Sequence, residues 1–354
     1  MKVELFATGP DQDCGIATYT KTLEDALEID YHRTPLRLRS CNVVHYIRQS
    51  VKAGTTDSDV IHVQHEYDIY GPKSIASWFV FPILWILSTL RRRPIVITFH
   101  SAWGEETVEP PLVGLKWTYL RLNNWMLARV ADYAIFLSED TRQTFEATTS
   151  LSSVEVIAHG VPTDIHPMSR EQACNRLGLD PDTDIVAEPG FVRPQKGYHT
   201  FLDIAERVPE ATFVVGGGTH EGEYEEYMAE IQSRCGEGVV VTGVLDDDEF
   251  HALFNAMDLA VLPYESVTQS GILNWCLAYE VPVLGTDVER FRELTAEYGF
   301  PAVFPIDDPD SGAERVRTVL EDPQPVLESM RDYRAAHGMD DIAATHAAVY
   351  QRLL

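Results

Sequence analysis

Cysteine is sparse in this 354-residue chain: Cys14, Cys41, Cys174, Cys235 and Cys276 are scattered, odd in number and form no CxxC pair. That spacing indicates neither a disulfide framework nor a zinc site and fits a reducing compartment. Bases are also in short supply. Lys and Arg total 28 against 55 Asp and Glu, a formal charge of -27 with lysine the rarer cation. A field of that sign repels nucleic-acid phosphates and anionic lipid over most of the surface, which disfavours a general DNA or RNA binder. The apolar part of IASWFVFPILWILSTLRRR (75–93) is about 16 residues, interrupted by Pro82 and short of the roughly 20 that span a bilayer. The N-terminal MKVELFATG enters a strand pattern without the basic, apolar and small-residue segments of a signal peptide. A cytoplasmic protein is expected.

The acids are spread over both halves, so acidity reads as solvation of the whole surface and suggests a salt-rich cytoplasm. The length and the 45% hydrophobic content suffice for two cores. Apolar runs VELFAT, VIHVQH, IVITFH, YAIFLS and VEVIAH in the first half, then DIVAEPG, TFVVGGG, VVVTG, LAVLPY and VPVLGT in the second, alternate with helical patterns. The alternation predicts an α/β fold of two Rossmann-like, doubly wound domains facing across a cleft. Gly160 and Pro162 punctuate the change between halves. The expected domains are 1–165 and 166–339, with a helix over 340–354 that packs back on the first domain.

Ligands of open α/β sheets bind beyond the carboxyl ends of the strands, so chemistry belongs in the loops after them. FVRPQKG (191–197) follows one such strand. Arg193 and Lys196 there, with the amides of the next helix, suit a diphosphate; a solvated loop paired with nearby carboxylates is the other reading. YESVTQSGILNW (264–275) follows another strand, and Ser270 and Gly271 would present amides to an anion, or simply cap a helix.

With CGIATYT (14–20), HVQHEYDIYG (62–71), TFHSAW (99–104), FLSED (136–140), IAHGVP (157–162) and VTGVLDDDEF (241–250), these segments resemble the retaining glycosyltransferases of family 4, whose two domains form the GT-B arrangement. The resemblance covers most of the chain. It implies transfer of a sugar from a nucleoside diphosphate sugar, UDP- or GDP-linked, to a hydroxyl of a glycan, glycolipid or lipid-linked acceptor, with no further cofactor and no metal. Arg193 and Lys196 match the pair that holds the donor diphosphate, Ser270 and Gly271 the phosphate-binding amides, and Gly15 the glycine loop of the first domain. His100 matches the histidine near the donor sugar, and Val244 lies where the family packs the nucleobase. Many members carry two glutamates eight positions apart. Here the second would fall on Asn274 or Trp275, and Glu265 with Gln269 would take over part of the sugar contact. The chain resembles a subgroup with a QSG pattern.

His65 and Glu66 are assigned to the acceptor side. Without the resemblance, His62, His65 and His100 read first as hydrogen-bonded structural residues, and Glu139 as a helix start. Asp246, Asp247 and Asp248 could hold a cation but fit a helix N-terminus better. Residues 75–93 are either a buried helix or an interfacial one whose Arg91, Arg92 and Arg93 meet anionic headgroups at the inner face of the membrane. A sugar-nucleotide epimerase, a phosphorylase and a catalytically silent binding subunit remain alternative readings.

Overall fold

In a computed structural model the described residues are 1–354 except 13, 39, 109, 220–223, 268, 269, 301 and 302, with the backbone alone at 106. The chain divides into two units, Met1–Gly160 with Met339–Leu354, and Val161–Gly338.

In the first unit, β1 (Lys2–Thr8), β2 (Asp30–Leu36), β3 (Val60–His65), β4 (Ile95–Phe99), β5 (Tyr133–Phe136) and β6 (Val154–Val156) form a parallel sheet in the order β2-β1-β3-β4-β5-β6. Its helices are α1 (Gly15–Ala26), α2 (Val43–Thr55), α3 (Ser77–Arg91), α4 (Val113–Val130) and α5 (Glu139–Glu146). Central strands such as β3 and β4 are buried at every position, as a sheet covered on both faces requires. The edge strand β2 is different. Its sequence DYHRTPL is half exposed and carries Pro35, so it lacks the continuous apolar signature of its neighbours.

In the second unit, α6 (Arg170–Leu177), β7 (Ile185–Pro189), α7 (Tyr198–Ala205), β8 (Thr212–Gly216), α8 (Glu225–Arg234), β9 (Val239–Val241) and α9 (Asp247–Ala256) are followed by β10 (Leu259–Leu262), α10 (Gly271–Tyr279), β11 (Val283–Thr286), α11 (Glu289–Tyr298), β12 (Val303–Phe304), α12 (Pro309–Glu321) and α13 (Gln324–Ala336). The sheet runs β12-β11-β10-β7-β8-β9, so the first strand pairs with the second on one side and with the fourth on the other. That is the doubly wound order whose direction reverses between β7 and β10. Val161 and Gly338 form a parallel bridge that joins the two ends of this unit.

The chain then returns to the first unit as α14 (Met339–Leu353), which buries Ile342, Ala343, Val349 and Tyr350 in one cluster with Val3, Leu5, Tyr19 and Leu23.

Candidate functional site

The reversal in the second sheet places two loops side by side, 190–197 after β7 and 263–267 after β10. Gly197 fixes their contact. It holds φ +71°, and a Cβ there would lie 1.9 Å from the Pro263 carbonyl oxygen; only glycine allows both the left-handed backbone and this approach. The Glu265 N–H donates to the Gln195 carbonyl at 2.9 Å, tying the loops again. Arg193, Lys196, Glu265, Ser270 and Gly271 therefore lie in neighbouring loops at the carboxyl ends of two adjacent strands, while Gln269 lies outside the described residues.

Lys196 is the only lysine after residue 116. Its Nζ donates to the Pro189 carbonyl at 2.9 Å, with room made by Gly190 (φ +95°), where a Cβ would come within 2.8 Å of that nitrogen. Burial pulls its pKa down to about 8, opposed by the neighbouring Glu188. At neutral pH it remains largely charged. Among the described residues no carboxylate pairs with it or with Arg193, in a chain where most other arginines are paired. Glu188 is fully buried on β7, and neither carboxyl oxygen has a hydrogen-bond partner. Burial raises its pKa well above the carboxylate range, against the pull of Lys196. Sequence reasoning missed Glu188, although an acid inside the apolar run DIVAEPG is a signal.

Ser270 is buried and caps α10. Its Oγ accepts from the Leu273 N–H at 3.1 Å and meets the Tyr264 hydroxyl at 3.1 Å. The next residue, Gly271, opens the helix with no atom of the described residues beyond its chain neighbours and its own helix backbone within 4 Å of its Cβ position, so a ligand could approach the first amides. Glu265 is exposed. In the loop after β9, Val244 is 57% exposed and packs against Gly218. Asn274 is buried in α10, and Trp275 packs on Phe250 and His251.

In the first unit the reversal lies between β1 and β3. Gly15 starts α1 after β1, with open space around it. His100, half-buried after β4, is held by Gln64, whose amide oxygen lies 2.8 Å from Nε2. With that oxygen accepting, Nε2 carries the proton and Nδ1 keeps its lone pair. Burial lowers the His100 pKa to about 3, so the ring is neutral. Behind it, the Gln64 amide nitrogen lies 3.3 Å from His62 Nε2, and His62 Nδ1 lies 2.7 Å from the Tyr350 hydroxyl of α14. His62 is a structural residue. Glu66 accepts hydrogen bonds of 2.8 Å from the Tyr67 N–H and from Ser101 Oγ, and burial lifts its pKa to about 7 despite them. It therefore stands beside the His100 segment as a carboxyl that can exchange a proton near neutrality.

His65 does not join them. The structure corrects its acceptor-side assignment: the ring is fully buried among Tyr67, Tyr70, Phe81 and Phe99, at centroid distances of 4.9 to 5.8 Å. Side chains alternate along a strand, so His62 and Gln64 share one face of β3 and His65 takes the other. Glu139 is the first residue of α5 and pairs with Arg142 at 3.0 Å.

Asp246 caps α9 in a reciprocal capping box with Glu249, while Asp248 pairs with Arg176 at 2.9 Å. Asp247, His166 and His251 bring ligand-type atoms within 4.8 Å of one another. The two rings lie 4.0 Å apart at 31°, a face-to-face packing, and His251 Nδ1 already meets the Tyr279 hydroxyl at 2.5 Å.

Residues 2–165 match the family described as Glycosyltransferase Family 4, and residues 184–322 match Glycosyl transferases group 1. The chain is 27% identical over 137 residues to the alpha-galactosylglucosyldiacylglycerol synthase of Streptococcus pneumoniae, covering 36% of each chain. It is 26% identical over 274 residues to the phosphatidyl-myo-inositol mannosyltransferase of Propionibacterium freudenreichii, covering 74% of this chain and 65% of the relative. The matches thus span about one third and just under two thirds of those relatives' lengths. Among solved structures, HepE of Anabaena in complex with UDP and glucose superposes with a TM-score of 0.74 at 16% identity, covering 99% of both chains. Two matched segments that take in most of the sequence, and a shared fold along its whole length, make this chain a member of the family 4 glycosyltransferases.

Proposed function

We propose that the protein transfers a sugar from a nucleoside diphosphate sugar to a hydroxyl of a glycan, glycolipid or lipid-linked acceptor, with retention at the anomeric carbon. The observation that carries this reading is the pair of cations, Arg193 and Lys196, without ion-paired carboxylates among the described residues, beside the start of α10 at the strand reversal of the second sheet. As the glycosidic bond breaks, negative charge grows on the leaving diphosphate. Lys196 and Arg193 stabilise that charge. The amides at Ser270 and Gly271 add the dipole of a helix start. Basic groups thus do the neutralising that a metal would otherwise supply.

His100 is the donor-sugar contact in this reading, presenting the ring fixed by Gln64. Glu265 and Gln269 contribute polar contacts to the sugar, Val244 lies against the base, and Gly15 is a further donor contact. Glu66 is the acceptor contact, with a proton affinity suited to a hydroxyl losing its proton. Two relatives whose names are those of a diacylglycerol glycoside synthase and a phosphatidylinositol mannosyltransferase favour a lipid-borne acceptor. A shared fold with a protein solved with UDP and glucose puts UDP first to test. The site of action is the cytoplasm, at high salt.

A second reading is a silent binding subunit, favoured by the absence of an acid at Asn274 and Trp275. Calorimetry with UDP, GDP and dTDP on wild type and Lys196→Ala tests both. One nucleotide should bind, and the variant should bind it more weakly; removing one contact to the developing charge costs about 3 kcal/mol of barrier, roughly a hundredfold in turnover. Nucleotide binding without transfer to any acceptor would select the silent subunit. No nucleotide binding by folded protein would remove both.

A further inference from the structure

On the outer side of the first unit, α2, α3 and α4 form one layer. Gly54 of α2 packs on Leu87 of α3. The Trp78 indole donates to the Tyr119 hydroxyl at 3.1 Å and the Ser77 hydroxyl to Asn123 at 2.9 Å, joining α3 to α4. The inward stripe of α3 is Ser77, Val80, Phe81, Leu84 and Ser88, a helical repeat facing the sheet. Its outward side is equally apolar: Phe79, Trp85, Ile86 and Leu90 are 45 to 76% exposed. On α4, Leu115, Leu122 and Trp125 are 50 to 67% exposed. Of sixteen large hydrophobic residues exposed among the described ones, nine lie between Ile75 and Trp125. Scattered exposed apolar residues need no explanation; a concentration on two packed helices does.

The charge of this layer is as distinctive. Helices α2, α3 and α4, of 13, 15 and 18 residues, contain no Asp or Glu. They carry Arg48, Lys52, Arg91, Lys116, Arg121 and Arg129, all exposed. The chain has 28 bases against 55 acids, so removing these six leaves 22 against 55 elsewhere. Arg129 lies over the Trp125 ring at 5.7 Å. Arg92 is exposed beside Arg91, whereas Arg93 is buried and donates to the Gly54 and Ser58 backbone, so it belongs to the fold. No helix among the described residues is long and apolar enough to cross a membrane.

From these juxtaposed helices we infer that the layer α2–α3–α4 docks on an anionic lipid surface, its Trp, Phe, Ile and Leu side chains entering the interface and its Arg and Lys side chains meeting headgroup phosphates. Charge decides the occupant. A layer of cationic helices without acids of their own, on an otherwise acidic protein, turns that layer toward a negative surface. A second copy joined about a two-fold axis would oppose Arg121 and Arg129 to the same patch of its partner. Helix α3, about 22 Å long by its rise, lies flat with the apolar side outward, the arrangement of an interfacial helix.

Flotation with vesicles of phosphatidylcholine alone, or of phosphatidylcholine with phosphatidylglycerol, tests this in buffer whose salt keeps the protein folded by circular dichroism. The expected result is association with the anionic vesicles, weaker association with neutral ones, and quenching of tryptophan fluorescence by brominated lipid. Trp85→Ser/Ile86→Ser should abolish the quenching contributed by α3. Arg121→Gln/Arg129→Gln should lower partitioning on the order of thirtyfold, since each cation near the surface contributes about a fivefold factor. These side chains are exposed, so both variants should keep the wild-type circular dichroism. Raising salt should weaken the association without abolishing it, because screening reaches the charges and not the apolar contact. Exclusion from both vesicle types overturns the proposal, and concentration-dependent dimers in that case assign the face to a second copy. Nucleotide calorimetry on the same preparation keeps the questions separate: binding of UDP or GDP by protein that ignores vesicles would sink only the docking surface.

Discussion

Replacing Glu66 by Gln tests the electrostatics at the end of β3. The carboxyl is held by the Tyr67 N–H and Ser101 Oγ, and burial lifts its pKa from the ordinary 4.5 to about 7. A raised carboxyl keeps its proton in the folded state after the unfolded chain has lost it. Folding stability therefore declines as pH rises from about 4.5 and is fully reduced above about 7. A difference of about 2.5 units is worth about 3 kcal/mol at most. Glutamine keeps an oxygen to accept both hydrogen bonds and cannot ionise. Glu66→Gln should then match wild type near pH 4.5 and exceed it at pH 8 by up to about 3 kcal/mol, or roughly 6 to 12 °C in the melting of the first unit. Calorimetric scans of both proteins across that range cancel the other titrating groups. Parallel pH dependences for the two proteins would refute the assignment of a buried, proton-holding Glu66.

Gly197→Ala should destabilise the second unit by at least about 2 kcal/mol in urea unfolding, from the left-handed backbone and the Pro263 carbonyl together. Gly271→Ala should leave stability equal or up to about 1 kcal/mol higher, since its Cβ meets nothing, yet weaken nucleotide binding; unchanged affinity would place the phosphates elsewhere. Affinity for a nucleoside diphosphate should fall as pH rises through about 8, where Lys196 loses its proton, and a flat calorimetric profile would count against that lysine. Tyr350→Phe removes the hydroxyl facing buried His62 and should cost about 1 to 3 kcal/mol, read by urea unfolding; a neutral effect would mean that the contact is immaterial.

The central strands were legible because strands covered on both faces must be apolar throughout, as VIHVQH and IVITFH nearly are. The edges were not. DYHRTPL faces solvent on one side and β12 is two residues long, so neither supplies a run that periodicity can register. At the site, FVRPQKG announced its cations, but no local pattern says that Gly197 would rest on Pro263, 66 positions nearer the C-terminus and adjacent through strand order alone. His65 was misplaced because a loop reading ignored the alternation of β3. Gln64 and Glu188 escaped because each is polar inside a strand, where a sequence gives the cost of burial and not the partner.

The return of α14 to the first sheet has a consequence for synthesis. Residues 1–160 leave the ribosome with Val3, Leu5 and Tyr19 still lacking the helix that covers them. The 178 residues from 161 to 338 must be made before α14 appears, which takes roughly ten to forty seconds at ordinary elongation rates. The inserted unit, whose ends are joined by the Val161–Gly338 bridge, is contiguous and can fold during that interval. The unit that begins the chain is consequently the last to be finished, and for that period an uncovered apolar face makes it the part most dependent on chaperones.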